Sequence, residues 1–226
     1  MLPILLLLLP TALGTLTYDL LIYGSTPSGV MAAKGFRDAT GPTPTILLLD
    51  PGTRVGGMSS GGLGNSDVRT WGTVGGAALD FFIRNARLYD PNATHPYGLL
   101  EPHLALGLFM DTLAAANATV FSGVGGIGGV SKEGPSLFTI TTLDGTAFSS
   151  RYFVDVSYEG DLLAAAGASF ELGRESRAAY GESPAGRLGN NYSFVLPINP
   201  YGPDGALLPL MSTSPFAAVG GSDKVL

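Results

Sequence analysis

Apolar residues come in short unbroken runs near the start of this chain and in helix-spaced stripes further on. Leu20 to Tyr23 and Ile46 to Leu49 are continuous apolar runs, the pattern of strands buried on both faces, as in a parallel sheet. Between them Gly24-Ser25-Thr26-Pro27-Ser28-Gly29 leads into a segment of helical spacing, and Asp50 closes the second run. From Gly75 to Tyr89 the residues Leu79, Phe82, Ile83 and Ala86 predict an amphipathic helix; Leu106, Phe109, Met110 and Leu113 predict a second, opening at Glu101-Pro102. The loop Asp90 to Tyr97 separates the two. From Thr119 the spacing shortens to that of strands: Thr119 to Ser122, Gly126 to Lys132, Leu137 to Leu143, Thr146 to Ser149 and Tyr152 to Val156. Leu143-Asp144-Gly145-Thr146 is a hairpin turn. An alanine-rich helix, Leu162 to Ala168, follows the polar corner Ser157-Tyr158-Glu159-Gly160-Asp161.

Strand, glycine turn, helix, strand and acid, in that order, make the first half of a dinucleotide-binding unit. The turn lets backbone approach a pyrophosphate, and the helix N-terminus offers it amides and a positive dipole end. Asp50 at the end of the second strand suits two ribose hydroxyls and would repel a 2′-phosphate, which disfavours NADP. Here the pattern is G-x-T-x-x-G, with Thr26 at the usual middle glycine and Pro27 in the first helical turn, where it loses no hydrogen bond. The same segment also fits an ordinary βαβ unit with no ligand. A second strand-to-helix corner at Ser157 to Asp161 strengthens the nucleotide reading, because such corners lie side by side at the carboxyl ends of parallel strands.

Composition narrows the field. The 226 residues carry 12 Lys and Arg against 18 Asp and Glu, a net charge of −6, with no basic cluster, so nucleic acid is not an expected partner. Absence of cysteine excludes disulfides, thiolate metal sites and a cysteinyl flavin. With two histidines and no carboxylate spacing that suits a metal, none is expected. The opening MLPILLLLLPTALG predicts a secretory signal peptide over residues 1–14, cleaved near Gly14, hence a secreted, extracellular chain with no stable membrane insertion after cleavage. An uncleaved anchor is the other reading. Sequons at Asn92, Asn117 and Asn191 agree with export and make N-glycans expected there.

The motifs YGSTPSG, LLLDPGTRVGGMSSGGLG, EPH at 101–103, FVDVSYEGDLLAAAG at 153–167 and GRESRAAYGESPAG at 173–186 together resemble the FAD-dependent oxidoreductase family, within the glutathione-reductase-like flavoproteins. The resemblance runs from about Thr17 to Leu226. It implies an α/β fold: a Rossmann-like, FAD/NAD(P)-binding parallel sheet with a β-meander and inserted helices. It implies an FAD-binding domain over 15–172 and the start of a substrate-side region over 173–226. Relatives carry a later glycine-rich strand-to-helix turn that closes over the flavin; none precedes Leu226, so the C-terminal part of the fold is expected to be missing.

Residue by residue, the resemblance implies that Gly24, Thr26, Pro27 and Gly29 cradle the FAD pyrophosphate and Asp50 holds the adenosine ribose. Arg54, Gly56, Gly57 and Met58 would follow the pyrophosphate and ribityl chain, with Ser59 to Gly64 reaching towards the isoalloxazine. Val124 would supply backbone contacts to adenine, and Ser157, Glu159, Gly160 and Asp161 a second corner near the adenosine half. The implied reaction moves a hydride from a small organic donor to flavin. His103 is the candidate general base; a histidine at a helix start also serves as a cap or packs. His95 is expected to be exposed. Arg174, Arg177 and Arg187 suit a substrate anion or surface ion pairs, and Trp71 and Tyr201 suit a sugar ring or packing. A non-catalytic protein that keeps the nucleotide-fold shell stays open as the alternative function. A flavin-free polysaccharide enzyme would need paired carboxylates that no spacing here selects.

Overall fold

The structure, a computed structural model, describes residues 16–133, 137–170, 177–181 and 203–206. The segment expected to be a leader, residues 1–14, and Asn191, Arg174, Arg187 and Tyr201 lie outside them. The chain divides into two units, Met1–Ala168 and Ser169–Leu226, a boundary four residues before the expected one. Within the second, α6 (Arg177–Tyr180) and a turn in which the Asp204 carboxylate accepts the Ala206 amide at 3.0 Å are described.

In the first unit, β1 (Leu16–Tyr23) leads through α1 (Pro27–Thr40) to β2 (Ile46–Asp50). Then come α2 (Gly57–Gly61), a 3-10 turn at Trp71–Thr73, α3 (Gly76–Arg87), α4 (Pro102–Ala115) and β3 (Ala118–Ser122). β4 (Ile127–Glu133), β5 (Leu137–Thr142), β6 (Ala147–Asp155) and α5 (Asp161–Ala165) complete it. One six-stranded sheet runs in the order β3-β2-β1-β6-β5-β4. β3, β2, β1 and β6 are parallel, while β4, β5 and β6 form an antiparallel meander. This is the Rossmann-like α/β arrangement with helices α3 and α4 inserted between β2 and β3.

Why β1 and β2 read as unbroken apolar runs is now plain: both faces are covered. Leu20, Ile22, Ile46 and Leu48 join Val30 and Ala33 of α1 and Phe109 and Leu113 of α4 in one core. Leu21, Tyr23, Leu47 and Leu49 face Val124, Ile140, Phe148 and Leu162 on the other side. Arg37 ties the layers together, its guanidinium donating to the carbonyls of Ala116 (2.6 Å), Gly41 (2.6 Å) and Pro44 (2.8 Å).

Three expectations needed correction. The buried faces of α3 and α4 are rotated from the expected stripes: Phe81, Asn85 and Ala86 are buried on α3, and Ala105, Leu108, Phe109, Thr112 and Leu113 on α4, whereas Met110 is exposed. Polar residues with internal partners cause the shift. The Asn85 amide donates to the carbonyls of Tyr97 and Leu99, 2.9 Å each, and Thr112 donates to Leu108 O (2.7 Å) while accepting from Arg84 (2.9 Å). Secondly, Thr146 to Ser149 and Tyr152 to Val156 are not separate strands but one, β6, because Ser149 and Ser150 are buried within it. Thirdly, α5 is a shorter helix than Leu162 to Ala168.

Just before β2, Thr45 is held to β1: the Asp19 carboxylate accepts its amide (2.8 Å) and its hydroxyl (3.0 Å). These bonds, with a smaller contribution from Arg151, hold its carboxyl below the usual carboxylate range. A depressed carboxyl stabilises the fold above its unfolded pKa and loses that contribution as pH falls through the folded one. Asp19→Asn is therefore expected to unfold at lower denaturant than the unchanged chain at neutral pH, with the gap closing below about pH 4. Urea melts across that range check it.

Candidate functional site

The carboxyl ends of β1, β2 and β6 lie side by side, since Tyr23 pairs with both Leu49 and Asp155 in register. At the end of β1 the chain must turn sharply under its neighbours. Gly24 has φ +102°, and a Cβ there would lie 2.8 Å from Ser157 N. A Cβ on Gly29 would lie 2.3 Å from Gly24 O. Pro27 opens α1 as expected, and no acidic residue sits in the first turn to cancel the helix dipole.

Thr26 stands at the N-cap of α1, with its hydroxyl accepting from Gly29 N (3.4 Å) and donating to Val156 O (2.8 Å). Its side chain thus runs sideways to the neighbouring strand. Asp50 is buried, and its two carboxylate oxygens accept Ser25 N (2.7 Å) and Gly52 N (2.5 Å). It clamps the glycine turn from the next strand. Each oxygen has a further lone pair, so a pair of ribose hydroxyls can still be accepted.

The loop after β2 carries the second expected group. Gly56 has φ +96° and donates its amide to Ser25 O (2.6 Å); a Cβ there would run into the Phe109 ring. Gly57 has φ +50° and abuts the Tyr158 hydroxyl, which accepts from Met58 N at 3.0 Å. Arg54 is exposed and reaches Ser60 O at 3.3 Å. Val124 is brought to the same edge, but its amide donates to Asp50 O (3.3 Å), flanked by Gly123 N to Gly52 O (2.6 Å) and Gly125 N to Pro51 O (3.2 Å). What Val124 can offer a base is therefore its carbonyl side rather than the amide.

At the second corner Ser157 organises the turn: its hydroxyl accepts Gly160 N (2.9 Å) and Asp161 N (3.3 Å). Gly160 has φ +75° at the N-cap of α5, and Asp161 opens that helix. Glu159 is exposed. Two residues were missed in the sequence. Asp155 accepts Ser157 N (2.9 Å), Ser157 Oγ (2.7 Å) and Leu163 N (2.7 Å), holding the corner as Asp50 holds the first. Its signal was present, since it closes an apolar strand in the same way as Asp50. Tyr158 had no such signal, because its task is to meet a loop 100 residues away.

Tyr23 lies beneath this junction with its ring fully buried and its hydroxyl without a partner among the described residues. Burial, reinforced by Asp161, Asp155, Asp50 and Glu159, pushes its pKa up to about 12. A raised tyrosine pKa leaves stability intact below about pH 10 and removes it as pH rises through the folded value. Tyr23→Phe is expected to gain about 1 kcal/mol by deleting an unpaired buried hydroxyl and to resist alkaline unfolding better, checked by denaturant melts at neutral pH and above pH 10.

The remaining candidates are dispersed. His103 is exposed in the first turn of α4, with Nδ1 3.9 Å from Glu101, which in turn accepts the Tyr89 hydroxyl at 2.9 Å. Leu100 N to Gly64 O (2.9 Å) brings the Ser59 to Gly64 loop beside that helix start. His95 is exposed against Thr94 at 3.1 Å. Trp71 is a packing anchor, edge-on to Phe82 at 5.0 Å. Arg177 lies in α6 of the second unit. Among the described residues no cluster of three or more His, Asp or Glu is arranged to hold a metal, and no helix is long and apolar enough to cross a membrane.

No curated protein matches the chain. Among solved structures it is similar to a flavoprotein/dehydrogenase from Cytophaga hutchinsonii (15% identity, TM-score 0.47, covering 69% of this chain and 44% of that one). It is also similar to the anhydrotetracycline hydroxylase OxyS from Streptomyces rimosus (16%, TM-score 0.45, 70% and 36%) and to a flavin monooxygenase from Stenotrophomonas maltophilia (17%, TM-score 0.43, 62% and 38%). The chain spans less than half the length of each. Residues 19–209 match the FAD dependent oxidoreductase family, a stretch that takes in both strand-end corners, and the chain belongs to that family.

Proposed function

We propose that this chain binds FAD at the carboxyl ends of β1, β2 and β6 and contributes the cofactor-binding part of a secreted oxidoreductase. The observation that carries the reading is the turn at Gly24 to Gly29. A Cβ at either glycine would strike backbone at 2.8 Å or less, the close packing expected of a turn that must also admit a pyrophosphate. Backbone of Gly24, Thr26 and Gly29 with the first turn of α1 would hold the phosphates, and the Arg54 guanidinium would balance their charge. Asp50 would accept the ribose hydroxyls, and its negative charge favours an unphosphorylated ribose. Gly56, Gly57 and Met58 would line the path onward, while Val124, Ser157, Gly160 and Asp161 flank the adenosine half.

When bound, FAD supplies two-electron acceptance, so the oxidised substrate is a small organic molecule giving up a hydride. His103 is the candidate to take the accompanying proton, because its helix start adjoins the Ser59 to Gly64 loop. Export rests on the apolar leader, and N-glycans are proposed at Asn92, Asn117 and Asn191; the first two are exposed.

The visible absorbance spectrum of the purified chain, loaded with FAD and then desalted, tests the proposal. Retained flavin bands are expected, and His95→Ala should leave them unchanged. A colourless chain would overturn the cofactor reading and leave a nucleotide-fold shell without its ligand.

A further inference from the structure

Hydrogen bonding between β1 and β6 is expected to stop where β1 bends away into the glycine turn. It continues for one more rung. Val156 N donates to Tyr23 O at 2.9 Å, and Val156 O accepts from the Thr26 hydroxyl at 2.8 Å. Both backbone polar groups of Val156 are thus committed to the first corner, the second of them to a side chain. The same hydroxyl accepts the Gly29 amide at 3.4 Å. Thr26 is 7% exposed, and its φ of −59° and ψ of 165° lie in a region open to any residue, so this position does not need glycine for its backbone.

We propose that the Thr26 side chain has a positioning role: its hydroxyl is a strut between β6 and the N-terminus of α1 that fixes the phosphate turn, and the hydroxyl makes no contact of its own with the phosphates. The strut accounts for the departure from the glycine pattern. A glycine at 26 would leave the Val156 carbonyl without its partner and the first turn of α1 without its cap. The usual sequence would therefore make a looser turn in this chain.

The inference rests on the FAD reading for its functional consequence, and two readouts keep the two apart. FAD affinity, by quenching of flavin fluorescence, is expected to fall about tenfold in Thr26→Val, which loses both the cap and the partner of the Val156 carbonyl, and by a smaller factor in Thr26→Gly, because glycine is itself a tolerable cap. Thr26→Ser, which keeps the hydroxyl, should stay within about threefold of the unchanged chain. Amide hydrogen exchange at Gly29, measured without FAD, should quicken in the Val and Gly variants and not in the Ser variant. A Thr26→Val chain that binds FAD as tightly as the unchanged one, or a Gly29 amide equally protected in all variants, overturns the strut. If the unchanged chain takes up no FAD, the cofactor reading falls, and the exchange measurement still decides the strut.

Discussion

Gly29→Val is expected to abolish FAD retention, leaving a chain that emerges colourless from desalting. A Cβ at this position would sit 2.3 Å from Gly24 O and 3.0 Å from a methyl of Val156. Neither neighbour can retreat. Gly24 is tied through its amide to Leu49 O at 2.8 Å, and Val156 is held by Tyr23 and Thr26. Relief can come only from moving α1 away from the sheet, which opens the turn and costs about 1–3 kcal/mol of stability. Gly35, further along the same helix, is the control: a Cβ there would meet nothing within 4 Å. Gly35→Ala should add about 0.5–1 kcal/mol and leave FAD binding untouched. A Gly29→Val chain that stays yellow would mean the cofactor lies elsewhere.

Asp50→Ala should weaken FAD by about a hundredfold or more, from two losses acting together. The ribose hydroxyls lose their acceptor, and Ser25 N and Gly52 N lose the carboxylate that holds them at 2.7 and 2.5 Å. Hydrogen bonds to a charged group contribute about 1.5–3 kcal/mol each, so part of the loss should appear as lowered stability without FAD. Asp50→Asn separates the two effects. It keeps one acceptor oxygen but turns an NH2 group towards a backbone amide, and should fall between. If Asp50→Ala folds and binds FAD as tightly as the unchanged chain, the ribose does not sit at Asp50.

Burial on two sides made the central sheet legible. Leu20 to Tyr23 and Ile46 to Leu49 needed no polar face, so their apolar runs fitted interior strands, and the acid and glycines that follow marked the carboxyl ends of β1 and β2. The facing of α3 and α4 could be read only in part: Ala86, Phe109 and Leu113 are buried as expected, but Asn85 and Thr112 are polar residues that bury themselves by bonding inward. The break expected between Ser149 and Tyr152 had the same origin: Ser149 meets Thr139 at 2.5 Å and Ser150 meets Tyr152 O at 3.0 Å, inside a continuous strand. Position was legible at Asp50, but its clamp on Ser25 and Gly52 was not, since such bonds depend on loop backbone that no spacing encodes. The long-range pairs, Thr26 with Val156 and Met58 with Tyr158, have no local signature at all.

The placement of β6 beside β1 also sets an order of events for the growing chain. Thr26 and Val156 are 130 residues apart, so a ribosome must make most of the first unit before the Gly24 to Gly29 turn has its second wall. Until then β1 can pair with β2 alone, and its other edge stays open to wrong partners. Contacts this distant are slow to close and aggregation-prone while they wait. A ligand bound at the Gly24 to Gly29 turn cannot guide the early steps, because that turn is among the last parts of the unit to be completed.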